Sequence, residues 1–198
     1  MRVFVSDLRH FLDMPDDVPG PARRMGDRLS LIVRAATAGD AGLGWVSALT
    51  CDRRPGHKSC PGHIALFRSD IPASIEWRCT ACGDEGVISG WERSPFDLRR
   101  RREDPSSGDT LAIAIPSEVA ATLRTLLLLD TTTERIVFQA RASTEGIVLV
   151  TDGDDLDELT GYIAAEANHE HDRRRQKRLD RAFEVLNQKL QQAPRPGR

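Results

Sequence analysis

Four cysteines are the feature that most constrains how this chain of 198 residues can fold. Cys51, Cys60, Cys79 and Cys82 follow the spacing C-x8-C-x18-C-x2-C. A tight C-x-x-C turn lets two thiolates reach one tetrahedral Zn²⁺ at about 2.3 Å. Gly83, directly after that pair, accepts a positive φ that other residues resist. We therefore predict that the four cysteines bind one structural zinc ion per chain and leave no open coordination position for catalysis.

Other uses of these cysteines fit the sequence less well. Disulfides are not expected in a reducing cytosol. A thioredoxin-type pair would open a helix, whereas Cys82 is followed by "GDEG" and a β-like run. The neighbouring Asp84 and Glu85 would also raise a thiol pKa and disfavour a reactive thiolate. The first half of the pattern, "CDRRPGHKSCPGH", offers His57 and His63 as rival ligands. A site with three cysteines and one histidine therefore stays open, and so does the alternative of four free structural thiols.

Residues 45–96 resemble the zinc-ribbon proteins in this C-x-x-C knuckle, which is bracketed by Trp77 and Trp91. The first half departs from the ribbon pattern, because eight residues separate Cys51 from Cys60 where ribbons have a second short knuckle. The resemblance implies a small antiparallel β module closed by a structural metal. The strand-like runs "WVSAL", "HIALFR", "SIEWRC" and "GVISGW" agree with it.

Apolar spacing places helices and strands on both sides of this module. A short amphipathic piece, "SDLRHFLD", precedes a helix that begins at Pro21 and ends at Gly39. Further on, "LAIAIP" predicts a strand, "SEVAATLRTLLLLD" a helix capped by Ser117, and "ERIVFQARA" with "GIVLVTDG" a hairpin around "STEG". Two helices follow, the first capped by Asp154. The predicted fold is α+β: an N-terminal helix plus a zinc-ribbon-like antiparallel β module, with a C-terminal β-α-β-β-α-α portion.

Composition shifts predict the domain boundaries. The helix and zinc-ribbon-like module occupy residues 1–98, and the polar run "RRRREDPSSGDT" makes 99–110 a loop or linker. Residues 111–192 form the α+β portion that ends in helices, and 193–198 are expected to be a disordered tail.

Charge is unevenly distributed along the chain. The net charge of -2 combines -11 over residues 103–170 with +6 over residues 171–198. The basic runs at 99–102 and 173–178 could contact phosphates or pair with the acidic block. Neither run contains an aromatic residue, so base stacking is disfavoured. The sequence-based candidates for nucleic-acid contact are Arg99, Arg100, Arg101 and Arg102.

No catalytic constellation is recognisable. The chain has no Walker loop, G-x-S-x-G elbow or H-E-x-x-H motif, and no nucleophile, base and orienting group can be assembled from it. The acid-rich "TDGDDLDEL" lacks the EF-hand spacing, and "HEHD" does not place its histidines on one helix face. We expect a non-enzymatic, structural-zinc-binding adaptor linked to nucleic acid or transcription. The alternative is a zinc-stabilised protein-interaction or regulatory module with no nucleic-acid role.

The surroundings of the protein can also be predicted. No run approaches the roughly 20 apolar residues of a membrane span, and "MRVFVSDLRHFLD" carries charges where a signal peptide is apolar. We therefore expect a cytoplasmic protein with no membrane partner. Its 25 arginines against 3 lysines indicate a GC-rich, bacterial-type genome. Apolar spacing in the last helix suits self-association as well as packing within the chain.

Overall fold

The structure, a computed structural model, contains both helices and strands, which confirms the mixed α+β class. The chain divides into two compact units, residues 1–100 and 101–198, and each is described by itself. Most of the predicted linker and the whole predicted tail lie outside the described residues, so the domain boundaries stay a prediction. The structure describes residues 3–15, 19–99, 110–144 and 146–192.

The first unit is built on a five-stranded sheet with the strand order β1-β5-β4-β3-β2. Strand β1 runs parallel to β5, and the other neighbouring strands are antiparallel. The predicted antiparallel module is therefore four strands of a larger mixed sheet. Its elements, in chain order, are β1 (Val3–Asp7), a 3-10 turn (Leu8–Phe11), α1 (Gly20–Ala38), β2 (Trp45–Thr50), a second 3-10 turn (Pro55–His57), β3 (His63–Asp70), β4 (Ala73–Cys79) and β5 (Glu85–Ser89).

Helix α1 covers one face of this sheet. Its buried residues Leu29, Ile32, Val33 and Ala36 recur at helical spacing and face β2, β3 and β4, as their apolar pattern predicts. The helix ends at Ala38 and is followed by Gly39, which is the predicted stop. A Cβ at position 39 would lie 2.9 Å from Nε1 of the Trp45 indole, so only glycine lets that ring approach.

A buried arginine joins α1 to the sheet. The Arg68 guanidinium, on β3, donates to the carbonyls of Ala36, Thr37 and Gly39 at 3.0, 3.1 and 2.8 Å. Its Nε lies 3.1 Å from a carboxylate oxygen of Asp70. Carbonyls at a helix C-terminus have no partner within the helix, and they carry the negative end of the helix dipole. A guanidinium there donates hydrogen bonds to the carbonyls and also interacts favourably with the dipole.

The second unit has a three-stranded antiparallel sheet with the order β7-β8-β6. It contains two helices, rather than the single predicted one, between its first two strands, so its order is β-α-α-β-β-α-α. The elements are β6 (Leu111–Ile115), α2 (Ser117–Leu123), α3 (Thr131–Phe138), β7 (Arg141–Ser143), β8 (Gly146–Thr151), α4 (Gly153–His169) and α5 (Arg173–Gln192).

The prediction of a strand over "ERIVFQARA" is wrong in its first half, which belongs to α3. Its β-branched residues suit a strand, but Asp130 caps a helix there, because its carboxylate accepts the amide of Thr133 at 2.7 Å. Burial of Ile136 and Phe138 on the helix then outweighs propensity. The hairpin around "STEG" is confirmed, with Ser143 paired to Gly146, although β7 is only 3 residues long.

Two helix caps also differ from the prediction. Pro116, not Ser117, is the N-cap of α2, and Ser117 is the first helical residue. Asp152, not Asp154, caps α4, where its carboxylate accepts the amide of Asp155 at 2.8 Å. A cap must have extended backbone, and Asp152 has it, with φ -109° and ψ -176°.

The last two helices pack on each other within the second unit. Leu159 and Ile163 of α4 are buried, as are Leu179 and Leu186 of α5. The apolar stripe that suggested self-association is therefore used inside the unit, and self-association stays a prediction. No helix in the described part of the chain is long and apolar enough to cross a membrane.

The buried arginine generates the first testable prediction. Arg68→Met keeps the length of the side chain but leaves three helix-end carbonyls without their donor. Loss of a charged, buried donor of this kind costs about 2–4 kcal/mol in the free energy of unfolding. Urea unfolding should show this loss, whereas Arg24→Met, at an exposed position of α1, should change the midpoint little. Equal midpoints for the two variants would contradict the assigned role of Arg68.

Candidate metal centre

The C-x-x-C pair sits in a turn between two strands. Strand β4 ends at Cys79, and the Cys79 amide donates to the Asp84 carbonyl at 2.7 Å, which closes the turn before β5. Gly83 has φ +69°, the left-handed conformation predicted for it. The amides of Ala81 and Cys82 point back at the Cys79 sulfur, at 3.4 and 3.5 Å. This is the geometry expected of a knuckle that holds thiolates.

The other two cysteines flank a closed loop between β2 and β3. The Cys60 amide donates to the Arg53 carbonyl at 2.9 Å, and the Cys51 amide donates to the Gly62 carbonyl at 2.8 Å. The Arg53 amide lies 3.4 Å from the Cys51 sulfur. The eight intervening residues therefore form a compact loop whose two ends stay together, although the loop is wider than a C-x-x-C turn.

Sheet register brings these two halves together. Ile64, near the start of β3, pairs with Cys79 at the end of β4. Beyond the strands, the Thr80 amide donates to the His63 carbonyl at 2.9 Å, and the His63 amide donates to the Thr80 hydroxyl at 3.0 Å. Both cysteine loops therefore lie at the same end of the sheet.

The four sulfurs converge on one point. The sulfurs of Cys51 and Cys82 are 3.7 Å apart, and those of Cys60 and Cys79 are 3.6 Å apart. All four lie within 4.8 Å of one another. Sulfurs placed tetrahedrally at about 2.3 Å from Zn²⁺ would be separated by about 3.8 Å. The arrangement is therefore compatible with one metal ion bound by four cysteines.

Neither histidine joins this cluster. Among the described residues, the four cysteines are the one group of three or more Cys, His, Asp or Glu ligand atoms close enough to share an ion. His57 and His63 are not members, and neither is the acid-rich start of α4 nor the 169–172 segment. The cysteines are also free rather than paired in disulfides, since a covalent S–S bond measures about 2.05 Å.

The surroundings shift the pKa values of two of the thiols in opposite directions. Burial raises the pKa of the Cys51 thiol to about 12, although the Arg53 amide opposes the rise. Burial also raises the pKa of Cys79, but the amides of Cys82 and Ala81 outweigh it and bring that pKa to about 7. A metal must displace protons from its thiol ligands. The positive charge of a divalent cation would then offset the repulsion among four clustered thiolates. Cys51, Cys60 and Cys79 are buried, and Cys82 is exposed.

Gly62 is a part of the site that the sequence analysis missed. A Cβ at this position would lie 2.4 Å from the Cys79 sulfur and 2.8 Å from Cβ of Ala81. Glycine thus lets the first loop approach the second one closely enough for the sulfurs to meet. The signal in the sequence is "CPGH", in which a glycine follows Cys60 by two residues.

Arg99, the one described member of the predicted nucleic-acid cluster, is bound within its own unit. Its guanidinium lies 2.7 Å from the Asp97 carboxylate and 4.7 Å from the centre of the Trp91 ring. Asp70 and Glu92 lie further away, at 3.8 and 4.0 Å. Arg100, Arg101 and Arg102 lie outside the described residues. Nucleic-acid contact by this cluster stays a prediction.

The fold and the site together define a mixed α+β protein with a four-cysteine cluster at one end of a β-sheet. No protein-family model, curated protein or solved structure matches the chain. The resemblance to zinc ribbons therefore stays a prediction from the cysteine spacing.

The close approach at Gly62 generates a second prediction. In Gly62→Ala the new methyl group would push the Cys60 loop away from Cys79, so the purified variant should hold much less metal than the wild type. Gly44→Ala is the matched control in the same unit, because its Cβ would have ordinary contact, 3.9 Å from the Leu66 carbonyl oxygen. Metal content per chain measures both. A Gly62→Ala variant with wild-type metal content would show that the sulfurs do not need this approach.

Proposed function

We propose that the protein is a non-enzymatic adaptor whose first unit is held together by one structural Zn²⁺ ion. The convergence of Cys51, Cys60, Cys79 and Cys82 carries this proposal. Thiolates are soft ligands, and four of them in a tetrahedral arrangement favour zinc over harder divalent cations such as Mg²⁺. Four protein ligands leave no position for water or substrate, so the metal would stabilise the fold rather than react.

The position of the cluster explains why the unit needs a metal. The loop from Cys51 to Cys60 is largely exposed and contains no buried hydrophobic side chain between the two cysteines. Its backbone bonds, a 3.8 Å contact between Arg53 and Asp84 and a 3.4 Å contact between Asp52 and Arg28 accompany the cysteines. Zinc binding, which contributes on the order of 10 kcal/mol in small zinc-dependent units, would replace the missing apolar core.

A role linked to nucleic acid remains the first candidate for what the adaptor binds. It is supported by the strong charge segregation, with +6 over residues 171–198, and by exposed basic side chains on α5. Arg99 supports it less, because that side chain already has a carboxylate partner in Asp97. Binding would depend on salt and would be independent of base sequence.

A protein-interaction module without a nucleic-acid role is the second candidate. A groove of about 670 Å³ runs across the sheet of the first unit. Exposed Phe67 and half-buried Val46 and Val87 contribute to its lining, together with the charged side chains of Glu76 and Arg78. A groove of this mixed character fits an amphipathic segment of another protein. Failure of the chain to bind nucleic acid at low salt would make this candidate the better one.

Metal content is the third prediction and the direct test of the structural-zinc proposal. The purified protein should carry close to one zinc per chain, and Cys79→Ser or Cys82→Ser should unfold the first unit. Elemental analysis and circular dichroism, before and after chelation, measure these outcomes. Thr80→Ser, which keeps a hydroxyl between the two cysteines, should retain zinc. Folded protein without metal, with four titratable thiols, would refute the proposal.

Ligand identity is the fourth prediction. Cys60→Ser should lose zinc, whereas His57→Ala and His63→Ala should keep it, because neither imidazole belongs to the sulfur cluster. Zinc analysis of the three variants, each checked for folding, separates the two ligand sets. Loss of zinc in His63→Ala together with its retention in Cys60→Ser would replace the four-cysteine site by one with three cysteines and one histidine.

A further inference from the structure

Helix α5 presents two opposite faces. Leu179, Ala182 and Leu186 are buried within the second unit. Val185, in the second half of the helix, is also buried. At 100° per residue, the cationic residues of the first half lie within an arc of about 140° that is centred away from Leu179, Ala182 and Leu186. These cationic residues are exposed, and they are Arg173, Arg174, Lys177, Arg178 and Arg181.

Within the described residues, four of these five cations have no carboxylate at ion-pair distance. Arg181 lies 3.6 Å from Glu184, but no acidic group in the described part of the chain forms an ion pair with Arg173, Arg174, Lys177 or Arg178. They span about 8 Å of the helix axis, or about one positive charge every 2 Å. Duplex DNA carries one negative charge per about 1.7 Å of its axis, so the two charge densities match.

Three acidic groups near the start of α5 are already engaged by other contacts. Arg175, on the buried side of α5, bridges the carboxylates of Glu166 and Glu170, and it also donates to the Thr125 carbonyl at 3.1 Å. The Asp172 carboxylate accepts the amide of Arg174 at 2.7 Å, as a helix cap does. These contacts fix the orientation of α5 and engage the carboxylates of Glu166 and Glu170 with Arg175 rather than with the outward cations.

Two acidic residues, Asp180 and Glu184, lie on α5 itself, and a larger acidic group lies at the other end of this helical pair. Asp152, Asp154, Asp155 and Glu158 surround the start of α4, where their mutual repulsion contributes, after burial, to raising the pKa of Asp155. Helix α4 has 17 residues, so this acidic end is about 25 Å along the helix from the turn that leads into α5. At physiological ionic strength the Debye length is about 8 Å, so the acidic end hardly screens the cations.

This placement works against the stability of the isolated helix. The N-terminus of a helix carries the positive end of its dipole and favours anions, yet it is here that the four cations cluster. Phosphate groups bound there would supply negative charge and offset the unfavourable interaction between the cations and the helix dipole. The arc contains no aromatic side chain, so stacking on unpaired bases is not available, and contacts would go to the backbone alone.

We infer that the outward face of the first half of α5 binds the phosphate backbone of a nucleic-acid duplex without reading its sequence. The site consists of Arg173, Arg174, Lys177 and Arg178. This inference deepens the proposed adaptor function by naming its surface and the chemistry of its partner. It moves the nucleic-acid surface away from residues 99–102.

The experiment, which is the fifth prediction, measures binding of a fluorescent 20-base-pair duplex by the full zinc-loaded chain, at about 50 and about 200 mM salt. Arg174→Gln/Arg178→Gln should weaken binding at least tenfold at the lower salt and flatten the log–log salt slope by about 2. Arg174→Lys/Arg178→Lys keeps the charge and should bind nearly as the wild type does. Arg23→Gln/Arg24→Gln removes the same charge from exposed positions of α1 and should leave affinity and slope unchanged.

Several results would overturn the inference. No binding by the wild type at the lower salt would remove the nucleic-acid partner, and a zinc content still near one would leave the structural-zinc proposal intact. Equal losses of duplex affinity in the α1 and α5 variants would indicate that binding depends on the net charge of the chain rather than on a defined surface. If replacing Arg100–Arg102 with Gln weakened duplex binding and the α5 variants bound as the wild type does, the binding surface would be assigned to residues 100–102 instead. Displacement of the duplex by polyglutamate as effectively as by unlabelled duplex, at equal charge, would indicate an acidic protein partner.

Discussion

The meeting of four cysteine sulfurs is the constraint on which the first unit depends. The sulfurs come from two loops at the same end of the sheet, and the distances of 3.6 and 3.7 Å between them match a tetrahedral set of thiolates. Neither loop can move alone without breaking the set, because β3–β4 pairing and the close approach at Gly62 fix one against the other. We propose that the metal stabilises the end of the sheet from which the exposed loop between Cys51 and Cys60 extends.

The sequence analysis grouped the same four cysteines that the structure brings close together. The C-x-x-C spacing and Gly83 encode a local turn, so they are readable from a few adjacent residues. Gly62 was missed because its role is a contact with Cys79, 17 positions away in the chain. Only the sheet register makes that contact visible, and no local pattern reports register across a hairpin.

The same distinction between local and distant signals explains the errors elsewhere. Helix α1 is predicted because its apolar period agrees with Pro21 in its first turn and with Gly39 directly after its end. Strand β1 is not, because Phe4 and Val5 are 52% and 76% exposed and so give no half-buried alternation for its parallel pairing with β5. The β-branched run of α3 resembles a strand, but the Asp130 cap and the burial of Ile136 and Phe138 together favour a helix.

The most direct test of the central claim is X-ray absorption at the zinc edge of the purified, full-length protein. Our account predicts a first shell of four sulfur atoms at about 2.3 Å and no light-atom ligand. A first shell containing nitrogen or oxygen at about 2.0–2.1 Å would contradict the four-cysteine site. A folded protein with no zinc signal would contradict the account as a whole.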